Sequence, residues 1–443
     1  MQDTAHPPAP AKHRWQFLAA LSHRNFRLFW SGQAISLIGT WMQNVSQAWL
    51  VLEITNSSFL LGLVSSLQFA PVLLFSLVAG VVADHFPKRR ILLFTQASMM
   101  MLAFILALLT YTRVVQYWHI LLLALSVGLV QTLDAPARQA FFIELVGPQD
   151  LMNAIALNST IFNIARILGP AVAGVVMARF GAEFCFLANG LSFLAVLASL
   201  LLIRVPPLKA SQVDRNLIGN IQAGLQYVRR TPVVLTAIVL MGILSTFAMN
   251  FNILVPVLAK NVLHQQQQGY GFLMSSMGIG ALTGALLLAG FSKAGPRRVV
   301  LLAGGFGLGL FQVLLGLANG YLMAAALLAL AGMSMISFSA STNTTIQVNT
   351  PDEYRGRVMS LYSLVFGGVT PFGALFAGGL ASLAGARVAL ICGGGIGVLA
   401  TAVVIAHRHT WFRTESVPVA REEATIPSAA GEMAGEIVGG ERQ

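Results

Sequence analysis

The sequence predicts an all-α membrane protein with twelve transmembrane helices, arranged as two six-helix bundles around a central cavity. The 443 residues are 56% hydrophobic and only 10% charged, with a mean hydropathy of +0.74, and a soluble domain could not bury that much apolar surface. Windows such as 91–112, 184–203 and 232–259 contain no Asp, Glu, Lys or Arg, and each is long enough to cross a hydrocarbon core of roughly 30 Å as a helix. A polar segment at 204–231 separates the apolar windows into two sets.

The first bundle is predicted over residues 26–203, after a cytoplasmic N-terminal segment at 1–25. Its charge-free windows and the short polar breaks between them indicate six spans. We place these helices near residues 26–52, 59–83, 91–112, 118–141, 153–179 and 182–203.

The polar segment at 204–231 is predicted to be a cytoplasmic linker. Leu217, Ile221, Leu225 and Val228 recur at helical spacing with charges between them, which favours an amphipathic helix on the membrane surface.

The second bundle is predicted over residues 232–407, and the tail at 408–443 has the composition of a disordered segment. The stretch "ANGY" at 318–321 divides an apolar run that is too long for one crossing. We place the six helices near residues 232–259, 269–292, 299–317, 321–346, 357–383 and 386–406.

The distribution of basic residues predicts the orientation. Of the 27 Lys and Arg residues, 22 fall on the side of both termini, four fall on the other side, and Arg166 lies within a span. Because cytoplasmic segments carry the excess of Lys and Arg, both termini are expected in the cytoplasm.

The two halves also resemble each other in sequence. Three glycines of the first half recur in the second half with a constant displacement of 204 residues: Gly169, Gly174 and Gly181 correspond to Gly373, Gly378 and Gly385. An even number of spans separates the copies, which predicts parallel repeats related by an axis along the membrane normal.

A charged stretch, "GVVADHFPKRR" at 80–90, lies between the second and third predicted spans. The positive-inside rule alone explains a basic turn at this place. With twelve spans and a basic linker, the stretch also resembles the signature motif of the major facilitator superfamily. The matching residues are Gly80, Asp84, Lys88, Arg89 and Arg90.

The resemblance implies a function for this motif and a position within the superfamily. In the family the stretch latches the two halves: the acid interacts with a neighbouring helix terminus and the basic residues with an acid on the fourth span. His85 and Pro87 depart from the usual pattern. The stretches at 134–146 and 153–174 resemble the transmembrane secretion effector subgroup, which includes the enterobactin exporter, and this implies a bacterial inner-membrane protein.

Few charges lie within the spans, and such residues are functional candidates because they are costly in a bilayer. Arg166 is predicted near the middle of the fifth span, where it faces either a cavity or a structural ion pair. Asp134 and Arg138, four residues apart, can pair on one helix face. We consider two hypotheses for Asp134: it couples transport to protons together with Arg138 and Arg166, or it forms a structural bond with Arg89 or Arg90.

Uncharged polar and aromatic residues at membrane depth are candidates to line the cavity. Helix–helix hydrogen bonds are the alternative for the polar residues, and contact with lipid is the alternative for the aromatic ones. The candidates are Gln47, Gln68, Gln131, Asn158, Asn163, Asn189, Phe247, Asn250, Phe251, Phe338, Tyr362 and Phe366.

These features favour a secondary active transporter over an enzyme or a nucleic-acid-binding protein. The glycine clusters follow no strand and no P-loop motif is present, so an ion gradient is the expected energy source. We predict a monomeric, proton-coupled exporter of a small amphipathic compound, such as a siderophore or a drug, that works in a lipid bilayer without a cofactor or metal. The alternatives are a transporter of lysolipid or another lipid-like substrate, and a sensor with a transporter fold.

Overall fold

The structure is a computed structural model that describes residues 16–204, 217–291 and 298–407. Every regular element in these ranges is a helix. The first 15 residues, positions 205–216 of the predicted linker, and the predicted tail from 408 onward lie outside the described residues.

The first half contains six spans in five continuous helices, because the fourth and fifth spans are joined. The helix α4 turns back at Gly147, whose φ of 73° lies in the left-handed region that favours glycine, and Pro148 follows. The two arms, 117–146 and 148–180, are therefore longer than the predicted spans. The elements are a 3-10 helix at Gln16–Ser22, α1 at Arg24–Thr55, α2 at Ser58–His85, α3 at Lys88–Tyr111, α4 at Tyr117–Phe180 and α5 at Ala182–Leu202.

The second half follows a short helix within the predicted linker. The seventh span of the protein is broken between α7 (Pro232–Phe247) and α8 (Phe251–Asn261). The eleventh span consists of α12 (Asp352–Gly368) and the first part of α13 (Thr370–Ala406). The elements are α6 at Leu217–Arg230, α7 at Pro232–Phe247, α8 at Phe251–Asn261, α9 at Gln267–Phe291, α10 at Arg298–Leu317, α11 at Tyr321–Val348, α12 at Asp352–Gly368 and α13 at Thr370–Ala406.

The number of crossings agrees with the sequence. Nine stretches of the described residues are long and apolar enough to cross a membrane, and two of them, 117–180 and 352–406, each hold two spans. With α1 these make the twelve predicted spans, so the predicted fold class is confirmed.

The predicted internal repeat is visible in the backbone. Gly181 and Gly385, which are 204 residues apart in the sequence, adopt nearly the same conformation, with φ and ψ of 100° and 166° in the first half and 85° and 162° in the second. Each lies at the turn between the fifth and sixth spans of its half. The halves contact each other through α4 with α9 and through α2 with α13, as expected for repeats related by a two-fold axis.

The two membrane ends of the bundle differ in charge. We call the end that carries Lys88, Arg89, Arg204, Arg229 and Arg355 the basic end, and the opposite end the far end. The far end carries Arg113, Arg179, Lys260 and Arg387.

The packing of the apolar core also differs between the ends. One large cluster of buried residues includes both Trp49 of the first half and Tyr270 of the second, near the far end. A separate cluster at the basic end contains first-half residues alone, among them Phe29, Phe141 and Phe142 in edge-to-face contact.

Candidate functional site

At the far end, the two halves touch through backbone. An ideal Cβ placed on Gly378 of α13 would lie 2.6 Å from the Ser58 carbonyl oxygen and 3.0 Å from the Gly62 Cα, both of α2. At the repeat-related contact, a Cβ on Gly271 of α9 would lie 2.8 Å from the Gly174 Cα of α4. Only residues without a side chain permit so close an approach, so the far end is closed by two equivalent pairs of helices.

Aromatic and polar side chains close the same end. Trp49 of α1 stacks on Tyr270 of α9 with ring centroids 5.7 Å apart and an interplanar angle of 22°. The Lys260 Nζ donates to the Leu52 carbonyl oxygen at 2.7 Å and to the Asn56 Oδ1 at 3.3 Å. These acceptors lie at the C-terminus of α1, where the helix dipole favours a cation. Sequence reasoning counted Lys260 only for orientation and missed this contact.

Toward the basic end, where α12 lies, the second half contacts α2 less extensively than α13 does at the far end. Among the described residues, no glycine contact or aromatic stack joins the halves there. The Cβ positions of Gly80 near the end of α2 and Gly290 near the end of α9 have no neighbouring heavy atom within 4 Å. The close backbone contacts between the halves thus lie at the far end.

Arg166 lies between the halves at the middle of the bundle. Its guanidinium carbon is 6.0 Å from the ring centroid of Trp41 on α1, and its Nη2 is 3.9 Å from the Met335 Sδ on α11. No carboxylate of the described residues lies within 4 Å of this guanidinium. The sequence left two environments open for Arg166, a cavity or a structural ion pair. In the structure its side chain lies in the space between the halves and forms no ion pair with a described residue.

Asp134 forms a separate cluster within the first half. The buried carboxylate accepts hydrogen bonds from the Thr95 Oγ1 at 2.6 Å, from the Gln96 Nε2 at 2.8 Å and from the Arg138 Nε at 3.0 Å. The Arg138 Nη2 donates to it as well. The structure thus brings Asp134 and Arg138 together as the spacing predicts, and it places Arg166 elsewhere.

The signature motif lies at the basic end, at the turn between α2 and α3. The side chain of Asp84 lies outside the described part of the structure. Arg89 donates from Nε to the Leu200 carbonyl oxygen at 2.6 Å and from Nη2 to the Leu201 carbonyl oxygen at 3.0 Å, which places it on the last carbonyls of α5. Arg90 is exposed. Lys88 attracts Glu144 at the end of the first arm of α4, an acid that sequence reasoning did not consider.

For three predicted cavity residues the structure gives a different position. Asn189 is buried within the first half, where its Nδ2 donates to the Gln43 Oε1 at 2.7 Å. Phe338 is fully buried within the second half, against Gly304 and Gly305 of α10. Phe251 is buried in the large apolar core. Close helix packing and interhelical hydrogen bonds account for these positions.

The remaining candidates are less buried or lie at breaks in helices. Gln47, Gln68, Gln131, Asn158, Asn163 and Phe247 are partly buried. Asn250, at the break between α7 and α8, donates from Nδ2 to the Thr246 carbonyl oxygen at 2.7 Å. Tyr362 and the exposed Phe366 stack on α12 with centroids 6.1 Å apart.

The glycine-rich stretches and a surface groove provide no further polar site. Residues 278–284 and 304–309 lie inside α9 and α10, and an ideal Cβ on Gly304 would lie 2.7 Å from the Phe338 backbone nitrogen of α11, so this glycine serves helix packing. A groove of about 280 Å³ between α3 and α5 is lined by apolar residues such as Phe104 and Leu187 and lies within the first half. In the described part of the chain, no three His, Cys, Asp or Glu residues gather as metal ligands.

Twelve spans in two repeat-related halves, closed against each other at one membrane end, define a transporter of the major facilitator superfamily. Residues 16–434 match the family described as transmembrane secretion effector. The chain belongs to this family, which confirms the resemblance found in the sequence.

Relatives and solved structures agree with this assignment. The chain is 27% identical over 357 residues to the staphyloferrin A transporter of Staphylococcus aureus, covering 79% of this chain and 87% of that one. It is 24% identical to macrolide efflux protein A of Streptococcus pyogenes over 80% of this chain and 89% of that one. It is 26% identical to the enterobactin exporter EntS of Escherichia coli O139:H28 over 89% of this chain and 94% of that one.

Among solved structures, a bacterial homolog of the human lysosomal transporter Spinster, in an inward-facing and unoccupied conformation, superposes with a TM-score of 0.68 at 12% identity. The superposition covers 90% of this chain and 98% of the Spinster homolog. A POT family transporter in complex with 5-aminolevulinic acid gives a TM-score of 0.72 at 10% identity, covering 88% and 97%. At these identities the likeness shows the shared fold.

Proposed function

We propose that this protein is a secondary active exporter of a small amphipathic compound and that it works by alternating access. The observation that carries the proposal is the position of Arg166, an unpaired charge between two halves that are closed against each other at the far end. A state in which the far end is closed is one of the two that alternating access requires. The relatives named for staphyloferrin A, macrolides and enterobactin support a substrate of this size and class.

The proposed location is a bacterial inner membrane with the basic end in the cytoplasm. In a variant without Cys185 and Cys392, single cysteines at Gln266 and Asn319 should react with a membrane-impermeant maleimide from outside, because both residues are exposed at the far end. A cysteine at Gln149, exposed at the basic end, should react only after the membrane is permeabilised. The reverse pattern would overturn the orientation.

Energy coupling is proposed to come from an inward proton gradient. Cells producing the protein should extrude a preloaded siderophore or macrolide faster when an inward proton gradient is imposed, and a protonophore should remove the difference. Cells that do not produce the protein provide the control. An efflux rate that does not depend on the proton gradient would exclude proton coupling. If none of the compounds is transported, the alternative of a sensor with a transporter fold is favoured.

The motif at 80–90 is proposed to latch the state in which the far end is open. Arg89 is held by the C-terminal carbonyls of α5 in the present structure, so both groups that it contacts lie within the first half. A latch between the halves would engage Asp84 and the basic residues when the basic end closes.

A further inference from the structure

We infer that Arg166, Trp41 and Met335 form the site that binds an anionic oxygen group of the transported compound. The inference rests on the proposed function and narrows the substrate class to small organic anions with an apolar or aromatic body. Arg166 contributes the charge, Trp41 holds the guanidinium in place, and Met335 belongs to the opposite half.

The charge balance around Arg166 supports an external partner. Several other charged groups of the described structure have internal partners: Asp134 pairs with Arg138, Asp150 with His23, and Lys260 bonds to Leu52 and Asn56. Among the described residues, Arg166 has a cation–π contact to Trp41 and a contact to the Met335 sulfur, which is a weak acceptor. A cation within a membrane span is costly without a partner, so an anion that reaches this site offsets part of that cost.

The geometry suits a group with two oxygen atoms. A guanidinium presents five N–H donors in a planar fork, and a carboxylate or a similar oxyanion can accept two of them in parallel. The Trp41 ring attracts the guanidinium through its face, which restrains the fork without neutralising the charge.

An apolar wall adjoins the charge. Phe162 lies one helical turn before Arg166 on α4, is 43% exposed, and contacts Trp41 edge to face at 5.7 Å. Behind the arginine, α9 packs closely on the α4 backbone, with the Ser275 Oγ donating to the Ile167 carbonyl oxygen at 2.8 Å. The site therefore has a rigid back, a charged centre and an aromatic side, as expected for an amphipathic ligand.

The position also explains how binding could be linked to transport. The contact between Arg166 and Met335 joins the two halves at mid-membrane, so its environment changes when the halves rock. A ligand bound there contacts both halves in either state. If it binds one state more tightly than the other, it shifts the equilibrium between the two states.

The test uses three naphthalene probes that share one body and differ in charge: 1-naphthoate, 1-naphthamide and 1-naphthylmethylammonium. Binding to the purified full-length protein in nanodiscs is measured by equilibrium dialysis. We expect 1-naphthoate to bind at least tenfold more tightly than the other two. Arg166→Gln should remove this preference, whereas Arg179→Gln, exposed at the end of the same helix, should keep it.

A second pair of variants protects the test against a folding defect at Arg166. Met335→Glu places a carboxylate opposite the guanidinium and should weaken 1-naphthoate binding at least tenfold by occupying the fork. Gln347→Glu adds the same charge at the exposed basic end of the same helix and should bind 1-naphthoate within about threefold of the wild-type protein, because exposed charges more than a Debye length apart are largely screened.

The outcomes separate this inference from the proposed function. If the wild-type protein fails to bind 1-naphthoate, or if Arg166→Gln or Met335→Glu binds it like the wild-type protein, the anion site is overturned. Efflux of other compounds would then leave the exporter proposal standing. Charge-selective binding without efflux of any siderophore, macrolide or naphthoate would support the site and overturn export.

Discussion

Gly378→Ala is expected to reduce transport at least tenfold, whereas Gly379→Ala, at the next residue of the same helix, is expected to leave it nearly unchanged. A methyl group on Gly378 would lie 2.6 Å from a backbone oxygen of α2, far inside the optimal separation of roughly 3.5–4.0 Å. The nearest atom to a methyl group on Gly379 is 3.9 Å away, on the Phe59 ring. Both changes gain about 1 kcal/mol of helix propensity, so their difference reports the contact between the halves.

The loss should come from one conformational state rather than from misfolding. Overpacking costs about 1–3 kcal/mol, and here it applies only when the far end is closed. That state should lose population by about 5- to 150-fold. A cysteine at the buried Ser58, in the cysteine-free background, should then become reactive from outside in Gly378→Ala but not in Gly379→Ala. Equal transport by the two variants would show that the far end need not close tightly.

The sequence predicted the spans well because the bilayer imposes a simple rule. A helix must cross about 30 Å of hydrocarbon and satisfy its backbone internally, so charge-free windows mark spans whatever their neighbours are. The repeat could also be predicted from the sequence, because the same close contact requires a glycine at the equivalent position in each half. Gly174 and Gly378, 204 residues apart, both lie where the halves meet at the far end.

Helix breaks were harder to predict. The window 232–259 is apolar throughout, yet α7 ends at Phe247 and α8 begins at Phe251. Hydropathy reports whether a segment can enter the bilayer, and it carries no information on whether the backbone hydrogen bonds run without interruption. The fourth and fifth spans show the opposite: the polar residues between 141 and 153 were predicted as a break, yet they are helical on both sides of Gly147.

Side-chain partners could be predicted only where they lie on one helix. The spacing of Asp134 and Arg138 implied their contact, but Thr95 and Gln96 of α3 could not be identified, because nothing in a single sequence pairs two helices. The same limit placed Phe338 and Asn189 among the cavity candidates: the sequence shows an aromatic or polar residue at membrane depth, whereas the choice between the cavity, a neighbouring helix and lipid depends on tertiary packing. Arg166 was recognisable because an isolated charge in a span is rare.

Asp134→Leu is expected to have the largest effect on stability. Asp134 is 5% exposed and accepts hydrogen bonds from Thr95, Gln96 and Arg138, so its removal leaves a partly buried guanidinium without its counter-charge. Breaking a buried ion pair in this way costs about 3–5 kcal/mol. We expect little monodisperse protein on fluorescence-detected size-exclusion chromatography after extraction in detergent, and a much lower melting temperature for the remainder.

The double variant Asp134→Leu with Arg138→Leu should recover most of this loss, because two apolar side chains replace a pair whose desolvation is itself unfavourable. It also decides whether Asp134 carries the coupling proton. The described donors to this carboxylate belong to the first half, so rigid-body rocking of the halves leaves these hydrogen bonds unchanged, whereas coupling requires a group whose environment differs between the states. We therefore expect the double variant to retain efflux that responds to the proton gradient. Stable protein whose efflux no longer responds to the gradient would instead assign the proton to Asp134.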